Sequence, residues 1–173
     1  MEIVRITSGK YRGRALKTPG GATHPMGSRE KLALFNMIAG HLPGALVLDA
    51  FAGSGALGLE ALSRGANSVV FVEKSAAVAR IIKENVANLG MQNFCEVFVS
   101  DIATFQPEGK FDVILADPPY DNFETEKLES LPGFLTKNGV LVLSHPGEAP
   151  ELPGLELRKT HKYAEAKISV YSR

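Results

Sequence analysis

The sequence predicts a doubly wound, Rossmann-like α/β fold with a mostly parallel sheet, and three observations carry that prediction. Apolar runs alternate with segments of helical period between residues 45 and 143. The first run, Leu46-Val47-Leu48, passes through a glycine turn, Gly53-Ser54-Gly55, into an amphipathic segment. Acidic residues stand at or just past the ends of four successive runs: Asp49, Glu73, Asp101 and Asp117. Apolar runs without polar alternation mark strands buried on both faces, and regular strand–helix alternation calls for parallel order. In such sheets ligands bind at the carboxyl ends of the strands, where strand order reverses. Four acids in successive units therefore read as one site.

The bulk properties narrow the classes. With 173 residues, 45% hydrophobic and 22% charged, the chain has the composition of an ordinary globular domain. Its apolar runs fall well short of the roughly 20 residues a membrane span needs, and its charged N-terminus has no signal-peptide core. A lone Cys95 excludes a disulfide framework and fits a reducing, cytoplasmic setting, where it reads as a small buried hydrophobe. One Cys and four scattered His offer no metal-ligand spacing, so no metal is expected. The formal net charge is zero but unevenly placed. Seven of the 19 Lys and Arg, against two of the 19 Asp and Glu, lie in residues 1–31. A basic segment on an otherwise acidic body points to a nucleic-acid partner.

Two parts follow: a basic extension over residues 1–40 and a nucleotide-fold domain over 41–173. In the first, residues 3–18 form two short strands joined around Gly9-Lys10, with Ile3, Tyr11 and Leu16 inward and Arg5, Lys10, Arg12, Arg14 and Lys17 outward. Basic residues interleaved with an aromatic suit phosphate contact and stacking. Pro19-Gly20-Gly21 breaks the structure. Ser28 caps a helix over 29–39 with Leu32, Phe35, Asn36 and Ile38 near one face. In the second, the strand at 46–48 leads to a helix over 56–64, closed by Gly65. A strand at 68–72 precedes a helix capped by Ser75 and running to Leu89, with Val78, Ile81, Ile82, Asn85 and Val86 as its inner stripe. Strands at 94–99 and 111–116, a helix at 123–131 and a strand at 139–143, opened by a turn at Lys137-Asn138-Gly139, come next. Alternating runs at 155–161 and 167–171 close the chain as an antiparallel pair, giving seven strands in the sheet.

Gly53-Ser54-Gly55-Ala56-Leu57-Gly58 matches the dinucleotide fingerprint G-x-G-x-x-G, with Glu73 about 20 residues on. Asp49 argues against a dinucleotide, because a carboxylate at this strand end would repel a pyrophosphate in a partly desolvated pocket. A nucleoside carrying an ammonium and a sulfonium, S-adenosylmethionine, fits the charge. Glu73 can accept from its ribose hydroxyls and Asp101 from its adenine amino group. The second signal is Asp117-Pro118-Pro119-Tyr120. Two prolines hold the backbone extended and remove two donors, leaving carbonyls free for an incoming amine. Asp117 adds an acceptor, and Tyr120 a flat face for a base. Acceptors aimed at the hydrogens of a delocalised, weakly nucleophilic amine favour the more tetrahedral nitrogen of a transition state.

These residues carry a family resemblance. LDAFAGSGALGLEALSRGA resembles motif I of class I S-adenosylmethionine-dependent methyltransferases, and DPPY resembles the [D/N/S]PP[Y/F] motif of their amino-methylating members. GKYRGRALKTP, with REKLALFNMI at Arg29–Ile38, is similar more narrowly to the RsmD family, bacterial methyltransferases of a guanine N2 in 16S ribosomal RNA. The resemblance spans most of the chain. It implies a cytoplasmic enzyme acting on ribosomal RNA of the small subunit; the oligomeric state stays open, with a monomer as the default. It implies cofactor contacts from Asp49, Phe51, Ala52, Gly53, Ser54, Gly55, Glu73, Lys74, Asp101, Ile102 and Asp117. Asp117, Pro118, Pro119 and Tyr120 would hold the target base, with Tyr120 stacked on it. Lys10, Tyr11, Arg12, Arg14, Lys17 and Arg29 would touch RNA. The chain departs from the family at His24-Pro25-Met26-Gly27-Ser28, where the family reads R-P-T-[ST]-D before the arginine, so the RNA contacts of that stretch differ from the family's.

DPPY is also compatible with methylation of adenine N6 in DNA or RNA, or of a protein glutamine. The short chain leaves no room for a target-recognition domain, which disfavours sequence-specific DNA. A non-catalytic RNA-binding assembly factor would not need all four acids, and an NAD oxidoreductase fits Asp49 poorly.

Overall fold

The structure is a computed structural model and describes residues 3–21, 25–164 and 166–173. Strands β1 (Val4–Arg5) and β2 (Ala15–Leu16) pair antiparallel as a small separate sheet. Helix α1 (Ser28–Met37) follows, and the main sheet begins at β3 (Leu46–Asp49). Then come α2 (Ala56–Ser63), β4 (Ser68–Glu73), α3 (Ala76–Leu89), β5 (Cys95–Val99) and β6 (Phe111–Ala116). The chain ends with β7 (Leu135–His145), β8 (Glu156–Tyr163) and β9 (Ala166–Ser172). The seven-stranded order is β5-β4-β3-β6-β7-β9-β8, parallel from β5 to β7 and antiparallel at β9 and β8. Order reverses at β3, which pairs with β4 on one side and β6 on the other. The fold class read from the sequence is the fold observed.

Both sheet faces are covered, by different means. On one face α1, α2 and α3 bury Leu34, Phe35, Ile38, Leu59, Ile82 and Val86 against Val47, Val69, Val113 and Val142. On the other, irregular segments bring Ile102, Phe105, Leu128, Leu131 and Phe134 onto Leu48, Val72, Ile114 and Leu141. The helix expected over 123–131 is instead two single 3₁₀ turns, Thr125–Leu128 and Leu131–Phe134. The reason is the spacing: Leu128, Leu131 and Phe134 recur every three residues, the 3₁₀ repeat, and Pro132 interrupts any longer helix.

The N-terminal segment packs differently from its reading. Val4 and Ile6 are buried, while Ile3 is exposed. Ser28 is the first helical residue of α1 and Gly27 occupies the cap, with no side-chain cap bond. The buried face of α1 holds Lys31, Leu34 and Phe35, continued by Ile38 at its C-cap, whereas Leu32 and Asn36 face out. A lysine is tolerated there because Nζ donates to the Arg5 carbonyl at 2.6 Å and lies 3.4 Å from Glu60 of α2. Glu60, itself fully buried, also accepts from the Thr7 and Ser8 backbone and pairs with Arg64 at 3.0 Å. Burial lowers the Lys31 pKa and Glu60 opposes the shift. Buried charges survive only when paired and hydrogen-bonded in this way. The network fastens the basic hairpin to the helix that leaves the glycine turn.

Along α3, Ser75 accepts from the Val78 amide as expected, and Gly90 closes the helix in the left-handed region at φ 69°. Its buried stripe is Ala79, Ile82, Asn85, Val86 and Leu89, with Val78 and Ile81 only half-buried. Strand β7 starts four residues earlier than its reading. Lys137-Asn138-Gly139 forms an irregularity inside it, between the pairings Phe111–Leu135 and Val113–Val140. No helix among the described residues is long and apolar enough to cross a membrane.

Candidate active site

The reversal point gathers the predicted acids. Asp49 ends β3 and pairs in register with Phe71 of β4 and Leu115 of β6. Glu73 and Asp117 each lie two residues beyond those partners. Asp101 lies two residues past Val99, which pairs with Glu73. Adjacent strands β5, β4, β3 and β6 thus each deliver one carboxylate to the same edge.

The glycine turn is built around two of them. Asp49 is buried, and its Oδ2 accepts from the Gly58 amide at 3.0 Å, nine residues ahead. Gly58 is the third residue of α2, and Gly55 at the cap position has no side chain to offer. The carboxylate of β3 therefore takes one of the unpaired N–H groups at the helix start. Its other oxygen, Oδ1, is buried without a partner. Burial pushes the Asp49 pKa up to about 7; the Gly58 bond opposes that shift, and Asp117 and Glu73 add to it. Glu73 shapes the turn from β4, accepting from Gly53 N and Ser75 N at 2.9 Å each. Gly53 sits at φ 54°, and a Cβ there would meet nothing within 4 Å, so its face is open. A Cβ on Gly58 would instead overlap the Phe71 ring and approach Val69 Cγ1 at 2.8 Å, the close helix–strand packing its place in the fingerprint demands.

A cavity of about 140 Å³ opens on the turn, lined by Gly53, Ser54, Glu73 and Val78 and by Thr18, Pro19 and Pro25 of the N-terminal segment. Pro19, which breaks the N-terminal segment in sequence, is a wall of this cavity in the fold. Asn85 of α3 holds that wall. Its side-chain amide donates to the Ser54 and Lys17 carbonyls at 2.9 Å each, and its oxygen accepts from Lys17 N at 2.8 Å. Its role was missed, although a polar residue in the inner stripe of α3 was a visible signal.

On the other flank, Asp101 Oδ1 accepts from Ala103 N at 2.9 Å and Oδ2 lies 3.7 Å from Lys127. Ile102 and Ala52 are buried, Phe51 is half-buried and Lys74 is exposed. After β6, Asp117 is half-buried and Pro118 buried, while Pro119 and Tyr120 are exposed. Burial pushes the Asp117 pKa up to about 6, against the Ser144 hydroxyl, which lowers it. The Tyr120 hydroxyl bonds to Ser144 of β7, fixing the ring with 37% of its surface exposed. Ser144 was also missed; the only hint was a hydroxyl closing the apolar run GVLVLS.

The basic hairpin joins this edge through its backbone at Lys17, while its cationic side chains point to solvent. Lys10, Arg12, Arg14, Lys17 and Arg29 are exposed, and Tyr11 is half-buried against the core with Lys10 Nζ 5.5 Å from its ring center. Two of these cations have partners: Lys17 with Glu84 at 2.7 Å, and Arg14 with the Asn88 carbonyl at 3.0 Å. Of the departing stretch 24–28, His24 lies outside the described residues. Among the described residues no cluster of His, Cys, Asp and Glu could hold a metal ion.

The buried, unpartnered Asp49 Oδ1 beside an open glycine face suits a cationic nucleoside and not a pyrophosphate. The family model described as Conserved hypothetical protein 95 matches residues 4–172. The chain is similar to the candidate rRNA methyltransferase YlbH of Bacillus subtilis, 32% identical over 98% of this chain and 99% of that protein. It is 38% identical to ribosomal RNA small subunit methyltransferase D of Escherichia coli K12, over 80% of this chain and 69% of that one. Among solved structures, a candidate methyltransferase yhhF from Escherichia coli superposes with a TM-score of 0.87 at 31% identity, covering 99% and 98% of the two chains. The chain belongs to this RsmD-like family of S-adenosylmethionine-dependent methyltransferases.

Proposed function

We propose that this methyltransferase modifies the N2 amine of a guanine in 16S ribosomal RNA of the small subunit. The observation that carries the acceptor half is Asp117, half-buried and followed by two prolines, one strand from the buried Asp49. The names of the relatives at 32% and 38% identity support ribosomal RNA, and the exposed Lys10, Arg12, Arg14, Lys17 and Arg29 support a polyanionic substrate.

S-adenosylmethionine, when bound, supplies an electrophilic methyl group on a sulfonium. Asp49 Oδ1 would take its ammonium, Glu73 its ribose, and Asp101 with the Ile102 backbone its adenine; Gly53 leaves the backbone open to close approach. On the acceptor side, the target base leaves its stack at a cost of a few kcal/mol and rests on the exposed face of Tyr120. Ser144 keeps that ring in place through the hydroxyl. Asp117 and the Pro118 carbonyl accept the two amine hydrogens, holding the nitrogen lone pair toward the donor edge. The proton lost late passes to Asp117, whose raised pKa suits a transient acceptor, or to solvent.

The test is transfer of labelled methyl from S-adenosylmethionine to small subunits or 16S rRNA lacking the mark, followed by mapping of the labelled nucleotide. Label on a guanine N2 supports the reading. Label on adenine, on a protein or on free DNA overturns the substrate while leaving the enzyme class intact.

A further inference from the structure

A groove of about 460 Å³ lies at the end of the sheet opposite the acids, and nothing in the reaction uses it. Its floor is apolar, from Met37 of α1, Val140 of β7 and Val170 of β9. Five of its ten lining residues are basic and none is acidic, in a chain of zero formal net charge. Two of the five are committed elsewhere: Arg158 to Glu156 at 2.7 Å, and the Arg173 guanidinium to the Pro132 carbonyl at 2.8 Å. Lys137, Lys159 and His41 are exposed and form no ion pair among the described residues.

Two separate irregularities of the sheet bring the lysines there. In β7, residues 136–139 are extruded between the pairings Phe111–Leu135 and Val113–Val140, which carries Lys137 out of the ladder. In β8, the register shifts between Leu157 and Lys159, so Arg158 is the extra residue and Lys159 faces Val170 on the α1 side of the sheet. Bulges re-aim side chains, and here two strands on either side of β9 re-aim cations into one groove. Helix α1 links the groove to the active edge. Pro25, just ahead of it, lines the cofactor cavity, and Met37, its last residue, lines the groove. Ten residues of helix span about 15 Å. Along the way Arg29, Leu32 and Asn36, spaced three and four apart, form an exposed stripe on one face.

We infer that this groove is a second contact for the substrate RNA and takes a single-stranded nucleotide. Its phosphate would meet Lys137 and Lys159, and its base would lie on the Met37, Val140 and Val170 floor. The volume falls within the range of a small-ligand pocket, enough for one nucleotide. A positively charged groove that tracks the backbone is one half of a single-strand site; the usual aromatic stacking platform is replaced here by an aliphatic floor with the His41 ring at its side. The inference rests on RNA being the substrate, and it adds a route: the strand runs from the base held at Tyr120 along α1 to the far end of the sheet.

The test compares the wild type with Lys137→Ala/Lys159→Ala, both positions being exposed. Binding of a fluorescein-labelled single-stranded 16S rRNA fragment, and of assembled small subunits, is followed by anisotropy over a salt series. Loss of two phosphate contacts lowers the slope of log affinity against log salt by about 1.4 for a single strand. The expected kinetic result is a raised KM for RNA with kcat and cofactor affinity unchanged. Equal slopes and affinities, with a wild type that binds and methylates RNA, overturn the groove alone. A wild type that binds no RNA overturns the RNA substrate and the groove with it. A defect confined to assembled subunits, absent with naked RNA, assigns the groove to a ribosomal protein and likewise overturns the inference.

Discussion

Asp49→Asn should stabilise the ligand-free protein while weakening the cofactor, and both effects follow from one buried carboxylate. Asp49 is 1% exposed, with one oxygen on Gly58 N and the other unpartnered, and its pKa is pushed up to about 7. In the unfolded chain it titrates near 3.9. Between those values the folded protein holds a proton that the unfolded chain has released, so this group makes the fold less stable as pH rises through the window. Three pH units at about 1.4 kcal/mol each amount to roughly 4 kcal/mol. Asparagine keeps the acceptor for Gly58 and cannot ionise. Near pH 4 the variant should match the wild type to within about 1 kcal/mol, the cost scale of a neutral hydrogen-bond change. By pH 8 it should be the more stable by roughly 3 kcal/mol, allowing for that same cost. Denaturant unfolding without cofactor, repeated across this pH range, reads the difference. Calorimetric titration with S-adenosylmethionine at pH 8 should show a loss of roughly 1.5–3 kcal/mol, the worth of a hydrogen bond to a charged group. Wild-type affinity should also fall as pH drops below about 7, where Asp49 protonates. A variant less stable than wild type at pH 8, or a gap that does not grow with pH, would refute the reasoning.

Asp117→Ala should lower kcat by at least about 100-fold, the scale of losing one preorganised partner of the transition state, and should lower cofactor affinity far less. In the wild type at saturating cofactor, kcat should fall below pH of about 6 as Asp117 protonates, since the protonated carboxyl accepts more weakly and cannot take up the amine proton; a profile flat to pH 5 argues against that role. Gly58→Ala forces a methyl into Phe71 and Val69 and should cost about 1–3 kcal/mol of stability, measured by chemical denaturation. Asn85→Leu orphans the Lys17 amide and the Ser54 and Lys17 carbonyls. Hydrogen exchange at Lys17 should accelerate and cofactor binding weaken by about 1–3 kcal/mol, whereas unchanged exchange would mean Lys17 is held by other contacts.

Some elements were misread because their cause is not local. The sequence pattern puts Leu32 and Asn36 on the inner face of α1 and leaves Lys31 off it; the structure buries Lys31 instead, because Glu60, 29 residues away, and the Arg5 carbonyl make burial of an ammonium tolerable. The predicted helix at 123–131 failed on a local signal that was present, the three-residue spacing of Leu128, Leu131 and Phe134, read against the wrong period. Strand β7 was shortened at Lys137-Asn138-Gly139 because a turn signature inside a strand looks the same as one that ends it; the pairing of Leu135 with Phe111 distinguishes them.

The sequence by itself determined the layered fold, the placing of the four acids at strand ends, and the preference for a cationic nucleoside. Each follows from short-range chemistry: apolar runs make buried strands, glycines make the turn, and a carboxylate repels a pyrophosphate. Only the tertiary structure decided that Pro19 and Pro25 wall the cavity on the glycine turn, that Asn85 ties Lys17 to Ser54 and Ser144 holds the Tyr120 hydroxyl, and that two bulges carry Lys137 and Lys159 into one groove. These depend on which strands become neighbours and in what register, and one residue of shift in a strand turns a side chain to the other face. That information resides in the packing of segments distant in sequence, which no local pattern contains.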